Sequence, residues 1–285
     1  MIRPVRSRDA LLADIRAADK RDGNFRLWWL GQSGFLVQWQ GVHVLLDPYL
    51  SDSLTKKYSQ TDKPHVRMTE LVINPALLSF ANVVTSSHNH TDHLDAETLG
   101  PILAAAGHPR PKLVIAESNR AFVTERLAID SAIPVGVDDG TTVEVAGVRF
   151  SGVASAHETV ERDEQGRARF LGYVLQFGNW VIYHSGDTIR YPGMAEKLRM
   201  FGVHVALLPI SGRAPERRVA GNLSGPEAAQ LAKDIGARMV IPCHFEMFEF
   251  NSASPDEFVT ECRRLKQPFQ VLRCGEGWDS AALGK

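Results

Sequence analysis

The sequence predicts an α/β fold, a four-layer αββα sandwich formed as a single domain over residues 1–285. Three observations lead there. Strand-like runs open the chain and give way to strand–helix alternation, and the same succession begins again near Thr141. No low-complexity linker separates the two halves. Two such halves bury the apolar faces of their sheets against each other and cover the outer faces with helices.

The elements follow from periodicity and punctuation. Residues 7–20 place Leu11, Leu12, Ile15 and Ala18 at helical spacing, which predicts an N-terminal helix within residues 1–20. Residues 25–30, 35–40 and 42–46 read as strands of a meander, broken at Gly31-Gln32-Ser33-Gly34 and at Gln40-Gly41. Asp47-Pro48 ends the third, because proline has no N–H to give to a ladder. Residues 51–68 are polar and aperiodic and carry Lys56, Lys57, Tyr58, Lys63 and His65. A stretch of that length inside a compact domain is either a substrate-covering loop or a loose insertion, and the sequence leaves both open.

Residues 82–86 and 112–116 read as strands, followed by helices over 96–106, with Pro101 as a kink point, and through Leu127. The second β-run comprises 141–145, 148–154, 170–177 and 180–184, with Ala146-Gly147 and Gly178-Asn179 as hairpin turns. Residues 161–167 form a charged, solvated loop within it. Short strands at 203–208 and 239–241 precede helices at 225–235 and 255–265, where Ser224 and Ser254 stand as N-caps, each with Glu three residues on.

Composition narrows the function classes. Hydrophobic residues make up 44% and charged residues 23%, the balance of a soluble globular protein. A net charge of −1 supplies no basic field for nucleic acid, although a local pocket for a small anionic substrate is compatible with it. No run approaches the roughly 18 apolar residues of a membrane helix, and no apolar stretch of signal-peptide type follows Met1. Cys243, Cys262 and Cys274 form no CxxC pair, which points to a reducing cytoplasm. A homo-oligomer is compatible with everything in the sequence.

The chemistry concentrates in His88-Asn89-His90-Thr91-Asp92-His93, just beyond the strand ending near Ser86. In extended chain, residues two apart project to one side, so His88 and His90 can grip one ion together. Asp92 and His93 fall where a helix begins, and the change of backbone direction can turn them toward a second ion. Imidazole and carboxylate are the donors expected for zinc, manganese or iron. In a chain of this composition, H-x-H-x-D-H arises by chance below roughly one time in a thousand. Four ionisable groups at a strand end also make a poor core.

The motif resembles that of the metallo-β-lactamase superfamily, and further residues match in order over about residues 25–250. His157 follows one strand, Asp187 lies in Tyr183-His184-Ser185-Gly186-Asp187-Thr188, and His244 in Ile241-Pro242-Cys243-His244. The resemblance implies two divalent ions: His88, His90 and His157 on the first, Asp92, His93 and His244 on the second, and Asp187 bridging. It also implies that Asp47 orients a metal-binding histidine. His43, His65, His108, His184 and His204 read as ordinary surface or core histidines. His184 and Cys243 are out of phase with Asp187 and His244 along their strands.

An aspartate bridge together with the Asp92-His93 pair resembles hydrolase and glyoxalase-like members rather than β-lactam hydrolases. The chain is most similar to L-ascorbate-6-phosphate lactonases, through Trp28-Trp29-Leu30-Gly31, residues 88–95, residues 183–187 and residues 237–244. It departs from them in lacking their terminal extensions and in the segments after Asp47 and His157. The chemistry expected is water, activated by two cations, attacking the carbonyl of a lactone or other ester, with Asp92 orienting the water. Arg190 and Arg213, both just beyond strand ends, are the candidate contacts for a substrate phosphate. Arg217 and Arg218 read as solvated. Alternatives on the same ligand set are a phosphodiesterase similar to N-acyl-phosphatidylethanolamine phospholipase D and an iron-dependent oxidoreductase.

Overall fold

The computed structural model describes residues 1–18, 22–104 and 109–284. Among these residues there are thirteen strands in two mixed sheets. The first sheet is built from β1 (Phe25–Gly31), β2 (Gly34–Trp39), β3 (Val42–Leu46), β4 (Val83–Ser86), β5 (Lys112–Ala116) and β6 (Pro134–Val137), with β13 (Gly277–Asp279) pairing with β1. The second holds β7 (Thr142–Val145), β8 (Val148–Ala154), β9 (Leu171–Phe177), β10 (Trp180–His184), β11 (Val205–Pro209) and β12 (Met239–Cys243). Their spatial orders are β13-β1-β2-β3-β4-β5-β6 and β12-β11-β10-β9-β8-β7.

Each sheet changes character along its width for a covalent reason. β1, β2 and β3 pair antiparallel, as do β7, β8, β9 and β10. The turns at Gln40-Gly41 and Ala146-Gly147 have positive φ at both residues (50° and 82°; 53° and 75°), the hairpin geometry that follows strand twist. Beyond them β3 to β6 and β10 to β12 run parallel, and such strands need crossover connections. The crossovers hold α3 (Ala96–Ala104) and α4 (Arg120–Leu127) in the first sheet, and α5 (Met194–Arg199) and α6 (Gly225–Asp234) in the second. α1 (Arg8–Ala17) precedes them; α2 (Ser53–Tyr58) lies between β3 and β4, and α7 (Asp256–Leu265) packs on α6.

The two sheets share one continuous apolar core. Phe25 of β1 meets Phe177 of β9 at 5.7 Å and Trp180 of β10 at 5.1 Å, so large aromatic rings lock one sheet to the other. β1, β11 and, beyond Lys112, β5 are buried on both faces, which is why their sequences, apart from Arg26 of β1, run apolar without alternation.

The sandwich expected from the sequence is the fold observed, with differences at particular elements. β6 and β13 went unread: both are short, and β6 opens on a proline followed by a glycine two residues later. Residues 51–68 are not aperiodic throughout, since α2 forms within them. The predicted helix ends at Lys20 and Ala106, and His108, fall outside the described residues. Ser224 and Glu227 form a reciprocal capping box on α6. Ser254 does not cap α7 in that way: its hydroxyl accepts from the Asp256 amide and donates to the Asp256 carboxylate, and the helix starts one residue later than expected. Among the described residues no helix is long and apolar enough to cross a membrane.

Two outcomes follow. Ser224→Ala removes the cap of α6 and lowers the free energy of unfolding by about 1 kcal/mol in urea denaturation. Cys243, Cys262 and Cys274 are buried and free, and burial pushes the Cys262 and Cys274 thiols up to about 12. At pH 8 they stay protonated and covered, so native protein gives no prompt reaction with a disulfide reagent, whereas urea-unfolded chain titrates all three.

Candidate metal centre

Every residue singled out for the centre lies just past the C-terminal end of a strand, and the strands come from both sheets. β4 delivers residues 87–93, β8 delivers His157, β10 delivers Asp187 and β12 delivers His244. Local backbone makes this reach. Gly186 has φ +59°, and a Cβ there would stand 2.7 Å from the Leu171 carbonyl oxygen and 2.8 Å from Ser87, so only glycine lets the chain turn Asp187 inward. His244 also adopts positive φ, and its amide donates to the Gln32 carbonyl at 2.9 Å.

Two groups of donors result. His88, His90 and His157 form one; Asp92, His93, Asp187 and His244 form the other, and within each group the donor atoms lie within 4.8 Å of one another. Asp187 faces both. Its Oδ2 is 3.5 Å from His157 Nε2 and 3.2 Å from His244 Nε2, and its Oδ1 is 3.2 Å from His93 Nε2. Phe170 backs the first group, with its ring 5.1 Å from that of His88 and 5.6 Å from that of His157.

The far side of three of the imidazoles is already engaged. His93 Nδ1 donates to Asp47 Oδ2 at 2.8 Å, His157 Nδ1 donates to the Gly221 carbonyl at 2.8 Å, and His88 Nδ1 lies 3.0 Å from Ser87 Oγ. These bonds turn the Nε2 lone pairs toward the centre. Asp47 is fully buried; it also accepts from Thr85 Oγ1 at 2.7 Å and from the Ser87 hydroxyl. Among the described residues, His88 Nε2, His93 Nε2 and Asp187 Oδ1 are buried without a hydrogen-bond partner. Buried polar atoms are rarely left so, and imidazole nitrogen with carboxylate oxygen is the donor set of a transition-metal site. The residues present therefore fit divalent cations.

The electrostatics agree. Burial works against ionising Asp187, yet the neighbouring His244 and His93 hold its carboxyl well below the usual range. Burial likewise works against charging His93 and His244, but Asp187 and Asp92 outweigh it: His93 is raised well above the ordinary imidazole value and His244 to about 9. His88 is pushed well down by burial and by the neighbouring His93 and His90, against the opposing pull of Asp187. A field that holds protons on buried imidazoles also favours a cation in their place.

Above the donors opens a cavity of about 500 Å³, lined by His90, Asp92, His157, Asp187 and His244 on its floor. Leu54, Lys57, Tyr58 and His65, all within residues 51–68, form one wall with Phe248 and Phe250. His65 was expected to be an ordinary histidine. It belongs to this wall instead, stacked on Tyr58 at 4.2 Å, and burial lowers its pKa. His184 turns away as expected and bonds to the Ser33 carbonyl at 2.9 Å.

Arg190 and Arg213 do not line this cavity. Arg190 pairs with Asp234 at 2.5 Å, and Arg213 grips Glu227 with two bonds of 2.9 and 2.6 Å, so α6 draws both guanidinium groups away. The cations that do line it are Lys57 and Arg126. Arg126 Nη1 donates to the Asn89 and Leu94 carbonyls at 3.1 and 3.2 Å, and the guanidinium lies 4.5 Å from the Phe122 ring. Nothing local in the sequence marks Arg126, because α4 reaches the centre only through the tertiary fold. Gln32 was also missed: the Gly31–Gly34 turn reads as punctuation, but its side chain enters the second donor group.

A beta-lactamase superfamily domain model matches residues 26–244, and the chain belongs to that superfamily. It is 27% identical over 262 residues to a UPF0173 metal-dependent hydrolase of Rubrobacter xylanophilus, covering 89% of this chain and 96% of that protein. A UPF0173 metal-dependent hydrolase of Methanopyrus kandleri is 27% identical over 264 residues, 89% of this chain and 99% of the other. Among solved structures, Igni18, a metallo hydrolase of Ignicoccus hospitalis, superposes with a TM-score of 0.64 at 20% identity, covering 90% and 98% of the two chains. That likeness is one of fold.

Removing the shared carboxylate tests the centre directly. Asp187→Ala, reloaded with zinc or manganese, holds at most one ion per chain by elemental analysis, against two for the parent. Asp47→Ala keeps every donor and binds metal about 10- to 100-fold more weakly, because His93 is no longer oriented.

Proposed function

We propose that the protein is a metal-dependent hydrolase with two divalent ions, acting on a lactone or other ester of a small anionic metabolite. The observation that carries this reading is Asp187, whose carboxylate faces both donor groups beneath an open cavity. When bound, a pair of divalent ions lowers the pKa of water and polarises a carbonyl oxygen. The names of the superfamily relatives, metal-dependent hydrolases, support the same class.

The chain's own residues supply the rest. His88, His90 and His157 would hold one ion, Asp92, His93 and His244 the other, and Asp187 both. Asp92 keeps 16% of its side-chain surface open toward the cavity, in contrast to the closed His93 and His244, and is the carboxylate placed to orient a water. The wall of Tyr58, His65, Phe248 and Phe250 excludes bulk solvent from one side and takes the apolar body of a substrate. This supports a substrate-covering role for residues 51–68. Lys57 has no ion pair or hydrogen bond among the described residues, and Arg126 bonds no carboxylate, so both are available to an anionic group such as phosphate or carboxylate.

Protein reconstituted separately with zinc, manganese and iron is assayed on sugar-phosphate lactones, neutral lactones and phosphodiesters. Lactone turnover that does not consume oxygen is the expected result. Cleavage of phosphodiesters alone, or strictly oxygen-dependent turnover with iron, would replace the reading. Lys57→Met raises KM for a phosphorylated lactone about three- to tenfold, leaving kcat and the neutral lactone within about twofold.

A further inference from the structure

Gln32 sits where no glutamine side chain needs to be for the fold. It is 1% exposed, in the turn between β1 and β2, with φ +50°. Its backbone is pinned: the carbonyl accepts from the Trp29 indole Nε1 at 2.9 Å and from the His244 amide at 2.9 Å. With the backbone held on both sides, the movable part is the side chain and, most freely, its terminal carboxamide. That group reaches the second donor set, where Nε2 lies 2.8 Å from Asp92 Oδ2 and 2.9 Å from His244 Nε2. The opposite atom, Oε1, is buried and has no hydrogen-bond partner.

The contact with Asp92 has a telling direction. A carboxylate oxygen only accepts, so the amide hydrogen points at a lone pair that an ion in the second group would use, and the amide nitrogen does part of a cation's work there. A cation arriving among Asp92, His93, Asp187 and His244 would face the positive end of the amide. A half-turn about the last side-chain bond exchanges two atoms of nearly equal size and presents oxygen instead. The same turn takes Oε1 out of its unpartnered position. We propose that Gln32 is a further, neutral oxygen ligand of the second ion, with its carboxamide turned from donor to acceptor when that ion binds. The inference rests on the two-ion reading above.

The rival role is that of a hydrogen-bond donor which holds Asp92 and His244 in place and never touches an ion. Glutamate separates the two, since it keeps the oxygen and loses the N–H groups. Zinc is titrated into metal-free parent, Q32A and Q32E against a chromophoric chelator, with circular dichroism confirming the fold of each. The expected result is two sites in the parent and an unchanged first site throughout. The second site is weakened at least tenfold in Q32A and tightened at least tenfold in Q32E. A second site unchanged in Q32A, or weakened in Q32E as much as in Q32A, overturns the ligand role while leaving the two-ion hydrolase standing. If Q32E does not fold, cobalt(II) decides. The parent and Q32A then differ in the visible spectrum of the second ion only when a ligand has been lost, and identical spectra overturn the proposal. A single site in the parent overturns both this inference and the reading beneath it.

Discussion

Lone pairs converge in this protein with too few protons to separate them. His88, His90, His157, Asp92, His93, Asp187 and His244 aim nitrogen and oxygen at two adjoining points, most of them from buried positions. Burying even one unpaired charge is costly, and burying two carboxylates side by side is worse unless positive charge lies between them. Within the two donor groups the imidazoles provide it, which is why Asp187 and Asp92 raise His93 and His244 above the ordinary imidazole value. The rest of the architecture serves to keep this unfavourable gathering in place.

It does so by stiff means. The donors sit just past the ends of buried strands from both sheets, and the outer nitrogens of His88, His93 and His157 are tied to fixed partners. Asp47 illustrates the economy of the arrangement: one buried carboxylate takes the His93 ring, the Ser87 hydroxyl and the Thr85 hydroxyl together. Ser87 in turn lies against His88, so a residue of β3's end orients donors in both groups. The cavity walls, by contrast, come from connecting segments, above all residues 51–68, which contribute no donor to either group.

That division explains what could be read in advance. The sandwich was legible because two-residue alternation, hairpin turns and strand–helix succession are written locally. The run His88 to His93 was legible because it crowds ionisable groups at one strand end, and His157, Asp187 and His244 followed from the resemblance to the metallo-β-lactamase superfamily. β13 was not legible, since three residues carry no period, and their strand character comes from pairing with β1. The substrate side was read least well. Arg190 and Arg213 stand at suitable strand ends, but each is paired with an acid on α6, Asp234 and Glu227 respectively. Arg126 and Gln32 are adjacent to the centre only in three dimensions, through a helix and a turn whose sequences say nothing of metal.

The split of donors between the two sheets has a mechanical side. The first sheet supplies everything up to His93, and the second supplies His157, Asp187 and His244, with a long run of chain between. Metal held by both sheets would therefore cross-link distant parts of the polymer, closing loops that the unfolded chain would leave open. Loss of metal would release the sandwich at that end alone, while the aromatic lock of Phe25, Phe177 and Trp180 persists elsewhere in the core. In that sense metal bound at this end would act as a clasp, tying resistance to opening to the same donors that form the candidate centre.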